Sequence, residues 1–147
     1  MKITSPVFKH NQLIPATYTC DGQNINPPLE IAEIPTNTQD LVLIVDDPDA
    51  QAGSWIHWTM WNINLKLTKI EENTIPSGSV QGITSFGTVG YDGPCPPSGT
   101  HRYFFKVFAL DIKLNLGSET NATDLQQAMA GHIIAQAELI GLYQGNN

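Results

Sequence analysis

The spacing of apolar and polar residues predicts a domain built mostly of β-strands. Residues 41–45 form a short apolar run rich in β-branched side chains, and Asp46-Asp47-Pro48-Asp49 follows it directly. Such a run predicts a strand that is buried on both faces and is followed by a loop. Residues 101–111 have the aromatic and β-branched composition of a second strand.

A third predicted strand, residues 55–63, is largely apolar on both faces, which predicts a central position in its sheet. Strict alternation places Trp55, His57, Thr59, Trp61 and Ile63 on one face and Ile56, Trp58, Met60 and Asn62 on the other. Residues 73–82 predict a loop or an edge strand. Residues 87–99, dense in Gly and Pro, predict neither a helix nor a regular central strand.

The periodicity changes after Gly117 and predicts one helix over about residues 124–142. Apolar side chains recur there at helical spacing, behind the capping candidates Asn121 and Thr123. Strands followed by a terminal helix are typical of an antiparallel sheet architecture rather than of alternating βαβ units.

The composition supports the same fold class. The chain has 147 residues, of which 41% are apolar and only 14% charged, with 12 Gly and 10 Pro. Few charges and many turn residues favour a β-sandwich or barrel over a helical bundle. No repeat or linker divides the sequence, so we expect one domain over residues 1–147.

The net charge of −7 predicts a surface that repels nucleic acid, and the seven Lys and Arg form no run. No apolar segment near residue 1 resembles a secretory signal, and no run approaches the roughly 20 residues of a membrane span. We therefore expect a cytoplasmic protein without stable membrane insertion. A homodimer is a reasonable expectation, because symmetric pairs are common among such proteins.

Two cysteines, Cys20 and Cys95, lie 75 residues apart. They could form a disulfide, remain two inert thiols, or include one reactive thiol. For a cytoplasmic protein two separate thiols are the expectation, and the disulfide stays open as the alternative.

Polar residues at the predicted strand ends suggest a binding site. Asp47 ends one strand, His57 lies near the start of another, and His101 and Tyr103 begin a third. Taken singly, His57 is typical of a core histidine, Asp47 of a turn and Tyr103 of a sheet aromatic. If these ends converge, the four side chains form a small pocket that can hold phosphate or carboxylate, with Asp47 orienting a histidine.

The same segments resemble the signature blocks of the phosphatidylethanolamine-binding protein family, and more narrowly its prokaryotic Raf kinase inhibitor-like members. The blocks are Asp47-Pro48-Asp49-Ala50, Trp55-Ile56-His57-Trp58 and residues 90–103, which end in His101-Arg102-Tyr103. Thr19-Cys20-Asp21-Gly22 and Asn26-Pro27-Pro28-Leu29 also fit, so the resemblance covers essentially the whole chain.

The resemblance implies an antiparallel β-sandwich, to which the periodicity adds the C-terminal helix, and a surface pocket for small anions such as phosphate, phosphoethanolamine or acetate. It places Asp47, His57, His101 and Tyr103 in the pocket, Gly93 and Pro94 in its wall, and Asp49 and Trp55 on its flanks. Family members are described as binders and as modulators of kinases or proteases rather than as enzymes. The resemblance implies no cofactor.

Three alternatives stay open. Two histidines and a carboxylate could bind a metal, although no pair has the local spacing typical of such sites. The protein could also be a hydrolase. The chain has no Gly-x-Ser-x-Gly motif to supply a serine nucleophile, so Cys95 would be the nucleophile. The protein could also be an interaction module whose pocket is vestigial.

Overall fold

A computed structural model describes residues 1–67 and 69–145 of the chain. Those residues form nine strands, one α-helix and a short 3-10 helix, Ala16–Tyr18. The helix α1 spans Ala122–Met129. The strands are β1 (Lys2–Thr4), β2 (Gln12–Leu13), β3 (Leu29–Ala32), β4 (Asp40–Asp47), β5 (Trp55–Trp61), β6 (Lys69–Ile70), β7 (Val80–Gln81), β8 (Thr100–Leu110) and β9 (Ile133–Gln144).

The strands are arranged in two sheets. The smaller sheet has the order β1-β3-β6, and the larger has the order β2-β9-β8-β4-β5-β7. Neighbouring strands are antiparallel except for β2 and β9, which run parallel. The predictions of a mostly β, antiparallel sandwich and of β7 at an edge are confirmed.

The main core lies between the two sheets. The small sheet contributes Ile3, Leu29, Ile31 and Ile70, and the large sheet contributes one face of β4, β5 and β8. All eight residues of β4 are buried, as its continuous apolar run predicts. Every second residue of β8 faces this core, including Tyr103, Phe105 and Val107. The inner face of the large sheet is therefore fixed by alternation along β4 and β8.

A second core covers the opposite face of the large sheet. Leu125 and Met129 of α1 pack there against Val42, Ile44 and Trp61. Asn121 caps the helix by accepting a hydrogen bond from the Asp124 amide at 2.9 Å, as its position predicts. The helix α1 is eight residues long, and residues 1–67 and 69–145 contain no helix with the length and apolarity that a bilayer crossing requires.

The prediction of a helix over residues 124–142 is wrong beyond Met129. Gly131, with φ of +82°, takes the left-handed conformation that ends helices, and β9 follows it. The strand β9 pairs along its length with β8, from Leu110↔Ile133 to Thr100↔Gln144. The backbone hydrogen bonds between β9 and β8 outweigh the local helical spacing. Residues 133–144 therefore form a strand whose side chains face alternate sides.

The prediction of strict alternation along residues 55–63 is also wrong, because β5 contains a β-bulge. Val45 pairs with Trp58 but Asp46 pairs with Ile56, so His57 is an extra residue on β5. Beyond the bulge the faces exchange: Trp58 and Met60 pack in the core between the sheets, and Trp61 packs in the second core. Because of the bulge, His57, which contacts Tyr103, and its neighbour Trp58 both lie on the face of the large sheet that is turned toward the small sheet.

Candidate functional site

The strands β4 and β8, at the centre of the large sheet, separate at one end and leave a cavity between them. Pairing between β4 and β8 ends at Asp46↔Phe104, while β8 continues to Thr100 beside β9. The cavity at this end has a volume of about 340 Å³. It is lined by Asp47, Ala50, Gln51, Ala52, Trp55, His57, Phe86, Cys95, Pro96, Pro97, His101 and Tyr103. The predicted convergence of Asp47, His57, His101 and Tyr103 is what the structure shows.

Asp47 and His101 form the polar centre of the cavity. Nδ1 of His101 lies 2.6 Å from Oδ2 of Asp47, and both side chains are largely buried, at 13% and 5% exposure. A carboxylate oxygen only accepts hydrogen bonds, so Nδ1 carries a proton and donates it. The other carboxylate oxygen of Asp47 accepts the backbone amide of Asp49 at 2.8 Å. Asp47 thereby fixes the orientation of the His101 ring.

His57, only 4% exposed, is held by the backbone of the Gly-Pro segment. Its Nδ1 donates to the carbonyl of Asp92 at 2.6 Å, and the amide of Asp92 donates to the carbonyl of His57 at 3.1 Å. Burial lowers the pKa of His57 below its ordinary value, against the opposing effect of the Asp92 carbonyl. The ring is therefore neutral at pH 7, with its single proton on Nδ1.

Tyr103 forms the floor between the two histidines. Its ring centroid lies 5.2 Å from that of His57, edge to face, and 6.5 Å from that of His101. Burial, and then the negative charge of Asp47, raise the pKa of the Tyr103 phenol. The phenol accordingly stays protonated at any physiological pH, with the Asp47 carboxylate as its hydrogen-bond acceptor.

Asp49 lies beside the cavity rather than on its surface, where it pairs with Arg102. Oδ2 of Asp49 accepts the backbone amide and Nε of Arg102, both at 2.9 Å, and Oδ1 accepts a second guanidinium nitrogen at 2.8 Å. The hydrogen bond from the guanidinium lowers the pKa of Asp49 to about 2. Alternation along β8 turns Arg102 away from the face of His101, and the pairing with Asp49 gives Arg102 a structural role.

The wall of the cavity is tied to the chain's first turns by a disulfide. Cys20 and Cys95 are bonded, with their Cα atoms 5.5 Å apart. The expectation of two separate thiols is therefore wrong, and Cys95, as a disulfide, offers no thiolate for the hydrolase alternative. The amide of Cys20 also donates to the carbonyl of Pro94 at 3.1 Å. These bonds hold the Pro96–Pro97 side of the cavity in place.

Gly93 and Pro94 lie behind the wall, so their predicted place on the pocket surface needs correction. Both residues are buried, and the wall itself is formed by Cys95, Pro96 and Pro97. A Cβ at position 93 would lie 2.3 Å from the carbonyl oxygen of Tyr18. Glycine is required there because two backbone segments meet closely, not because a ligand approaches.

Phe86 and residues 50–52 complete the cavity and were not predicted. The amide of Ile56 donates to Oγ of Ser85 at 2.8 Å, and the Ser85 amide donates to the carbonyl of Ile56 at 3.0 Å. This double contact places Phe86 edge-on to His57 and Trp55, with centroids 5.2 and 5.5 Å apart. Phe86 is 40% exposed and forms an apolar rim. Its loop has no distinctive composition that could have indicated this role.

The charge of the cavity is unusual for an anion site. The residues that line it include the carboxylate of Asp47 and no Lys or Arg. Within residues 1–67 and 69–145, no three His, Cys, Asp or Glu side chains converge as metal ligands would, so the geometry gives the metal alternative no support. The cavity can hold a small polar group by hydrogen bonds to the polar side chains at its base and by apolar contacts at its rim.

The sequence and the fold match known proteins along almost the whole chain. The family model described as phosphatidylethanolamine-binding protein matches residues 4–144. A UPF0098 protein of Methanothermobacter thermautotrophicus is 47% identical, over 98% of this chain and 99% of the relative. The UPF0098 protein PH1269 of Pyrococcus horikoshii is 48% identical, over 98% of this chain and 76% of the relative.

Two solved structures share the architecture. A putative phosphatidylethanolamine-binding protein homolog of Chlamydia trachomatis, CT736, superposes with a TM-score of 0.94 at 39% identity, covering 99% of this chain and 97% of that one. Escherichia coli YbcL, described as a member of the mammalian PEBP family, gives a TM-score of 0.91 at 31% identity, covering 99% and 98%. Two sheets, a histidine-lined cavity and a family match over residues 4–144 lead to one conclusion: the chain belongs to the phosphatidylethanolamine-binding protein family.

Proposed function

We propose that the protein binds a small phosphoryl or carboxylate group in the cavity centred on Asp47 and His101. The observation that carries the proposal is the convergence of two imidazoles, one phenol and one carboxylate around about 340 Å³ of space. Buried polar side chains are costly to assemble unless they serve each other or a ligand. Phosphate, phosphoethanolamine and acetate fit the size and the polarity of this group.

The apolar rim supports a head group attached to a larger molecule. Trp55, Phe86, Pro96 and Pro97 surround the polar centre. A ligand with an anionic end and an apolar or aromatic continuation would satisfy both parts of the cavity, as is common for small-molecule sites.

The proposal is tested by titrating the protein with inorganic phosphate and with phosphoethanolamine while the histidine NMR signals are recorded. We expect His57 and His101 to shift first, and His101→Ala to abolish the response. His132 is the internal control: its Nδ1 also pairs with a carboxylate, Asp111, at 2.8 Å, but the pair lies on the surface outside the cavity. Its signal should not follow the titration.

Two results would contradict the proposal. Phosphate binding that persists unchanged in the His101→Ala variant would place the ligand elsewhere. Equal shifts of His132 and His101 would indicate a nonspecific effect of ionic strength or pH. The vestigial-pocket alternative predicts no saturable shift in any histidine.

The site favours binding over catalysis. Cys95 is engaged in the disulfide, and no serine lies among the lining residues next to a histidine that could activate it. We therefore propose a receptor for its ligand rather than an enzyme. Incubation with phosphoethanolamine and phosphate release assays should give turnover indistinguishable from that of the His101→Ala variant.

Regulation of a kinase or protease partner is part of the proposal, and it rests on the family resemblance together with an exposed apolar loop beside the cavity. Phe86 and Val89, at 40% and 51% exposure, project from this loop. A Phe86→Ser, Val89→Ser variant should weaken inhibition of a responsive protease or kinase and leave the fold intact. A homodimer stays a prediction, which light scattering can test.

Cytoplasmic localisation also stays a prediction, and the Cys20–Cys95 disulfide bears on it. Disulfides persist mainly in oxidising compartments, with intracellular proteins of hyperthermophiles as an exception. Alkylation of thiols in intact cells before lysis tests the point, because a cytoplasmic protein in a reducing cell should be labelled at both cysteines.

A further inference from the structure

The disulfide in the wall of the cavity is open to solvent. Cys20 and Cys95 are both exposed, and Cys95 is one of the residues that line the cavity. Disulfides that only stabilise a fold typically resist reduction, whereas exposed ones are the labile and regulatory ones, because a thiolate can reach a sulfur. A reductant can therefore reach a bond that borders the ligand site.

The backbone of Cys95 connects this bond to the polar centre of the cavity. The Cys95 amide is hydrogen-bonded to the Tyr103 phenol, and the phenol is hydrogen-bonded to the Asp47 carboxylate. Oδ2 of Asp47 in turn accepts from Nδ1 of His101 at 2.6 Å. All four residues line the cavity. A displacement of Cys95 consequently alters the contacts of Tyr103 and, through Asp47, the position of the His101 ring.

The chain before Cys95 is held by hydrogen bonds that do not need the disulfide. Oδ1 of Asn24 accepts the amide of Gly93 at 2.8 Å. The hydroxyl of Tyr91 donates to the carbonyl of Tyr18 at 2.6 Å. These bonds tie the turn that contains Cys20 to the segment that leads into the wall, whether the disulfide is open or closed.

The stretch that begins at Cys95 is a short exposed loop. Residues 95–99 lie outside any helix or strand, and all of them except Pro96 are exposed. The chain becomes regular again at Thr100, where β8 begins. The disulfide fixes one end of this loop and β8 fixes the other. Opening the disulfide therefore lets the wall of the cavity shift locally while the two sheets stay paired.

We propose that the Cys20–Cys95 disulfide is a redox switch for the cavity: a dithiol that opens it weakens anion binding, and a bound anion favours the closed bond. The switch rests on the proposed function of the same site. Its two effects are reciprocal, because the factor by which reduction lowers the anion affinity is also the factor by which bound anion lowers the equilibrium constant for reduction.

The switching reaction is thiol–disulfide exchange with a dithiol. One thiolate of the dithiol attacks a sulfur of the Cys20–Cys95 bond, a mixed disulfide forms, and the other cysteine leaves as a thiolate. The second thiolate of the dithiol then attacks the mixed disulfide, closes the reductant's own disulfide and releases the remaining cysteine. The protein gains two electrons and two protons, and the dithiol loses the same number.

The test compares the oxidised protein with the same protein reduced by dithiothreitol in native buffer. Inorganic phosphate and acetate are the probes. By calorimetry at constant ionic strength we expect the reduced protein to bind each probe about tenfold more weakly. In a redox buffer of reduced and oxidised dithiothreitol, saturating phosphate should lower the equilibrium constant for reduction by the same factor of about ten.

Two variants identify the bond and the route. The Cys20→Ser, Cys95→Ser double variant should bind phosphate as the reduced wild type does and should not respond to dithiothreitol. Tyr103→Phe keeps the ring but removes the hydrogen bonds of the phenol. Reduction should shift the His101 NMR signals of the wild type, and shift them less than half as much in Tyr103→Phe. The signals of His132, which lies outside the cavity, should not move in either protein.

The possible failures are distinguishable, and the comparison of oxidised with reduced wild type decides even if neither variant folds. Equal anion affinities of the two forms, resistance of the native protein to dithiothreitol, or global unfolding on reduction would each overturn the switch and leave the anion site standing. Equal His101 shifts in the wild type and Tyr103→Phe would overturn the route through Tyr103. Binding of neither phosphate nor acetate to the oxidised protein would overturn the proposed function itself.

Discussion

Nδ1 of His101 donates to Oδ2 of Asp47 over 2.6 Å. This hydrogen bond joins the start of β8 to the last residue of β4, which lies 54 positions earlier in the sequence. A second pair lies on the other face: Arg102, the residue after His101, pairs with Asp49, two residues after Asp47. The Asp47-Pro48-Asp49 loop is therefore clamped to β8 by two carboxylates. One of these pairs faces the cavity, and the other faces away from it.

Replacing the inner carboxylate should destabilise the protein. Asp47→Ala leaves the Asp49 amide and the His101 imidazole without their acceptor. We expect the free energy of unfolding to fall by about 3 kcal/mol, measured by urea denaturation. Asp111→Ala, at the exposed pair with His132, should cost less than about 1 kcal/mol. Equal losses in the two variants would show that burial does not increase the contribution of the Asp47–His101 pair to the free energy of unfolding.

Burial of His57 should make stability depend on pH in a defined direction. Its pKa is lowered in the folded protein, so the unfolded chain binds a proton first as the pH falls. The stability that neutral His57 contributes is present above the unfolded value of about 6.5 and is lost as the pH falls toward the folded one. Denaturation at pH 7.5, 6.5 and 5.5 should therefore show a smaller decline for His57→Gln than for the wild type. His132→Gln is the control, and identical slopes for wild type and His57→Gln would contradict the assignment.

The outer pair should be separable from ligand binding. In Arg102→Gln the pKa of Asp49, held at about 2 by the guanidinium, should return toward its ordinary value of 3.8, as carboxyl carbon NMR can follow. Phosphate affinity should change by less than about threefold, because the guanidinium faces away from the cavity. A large loss of affinity together with an unchanged fold would show that the outer clamp positions His101.

The disulfide should contribute much of the stability of the cavity wall. It closes a loop of 75 residues, for which chain entropy predicts a loss of about 4 kcal/mol when both cysteines are replaced by serine. Phosphate affinity should fall as well, because Cys95 lines the cavity. Reduced wild-type protein should behave like the double variant. Two titratable thiols in native, unreduced protein would exclude the bond.

Much of the strand framework was predictable because its causes are local. The continuous apolar run of β4 and the aromatic composition of β8 each indicate a strand without reference to the rest of the chain. The four polar site residues were predictable as well, since strand ends and a family resemblance both point to them. Along residues 133–142, by contrast, the helical spacing of apolar side chains led to the wrong prediction of a helix, and pairing with β8 makes this segment a strand.

Other features of the site depend on contacts that no local pattern encodes. The bulge at His57 arises from the register of β5 against β4, Phe86 reaches the cavity through hydrogen bonds between Ser85 and Ile56, and Cys20 meets Cys95 because two loops pack together. The sequence alone determined which residue types were available at the strand ends and which strands were buried on both faces. Only the tertiary structure decided which nitrogen of each histidine is committed to the protein, because that choice follows from the acceptors that folding places beside Nδ1.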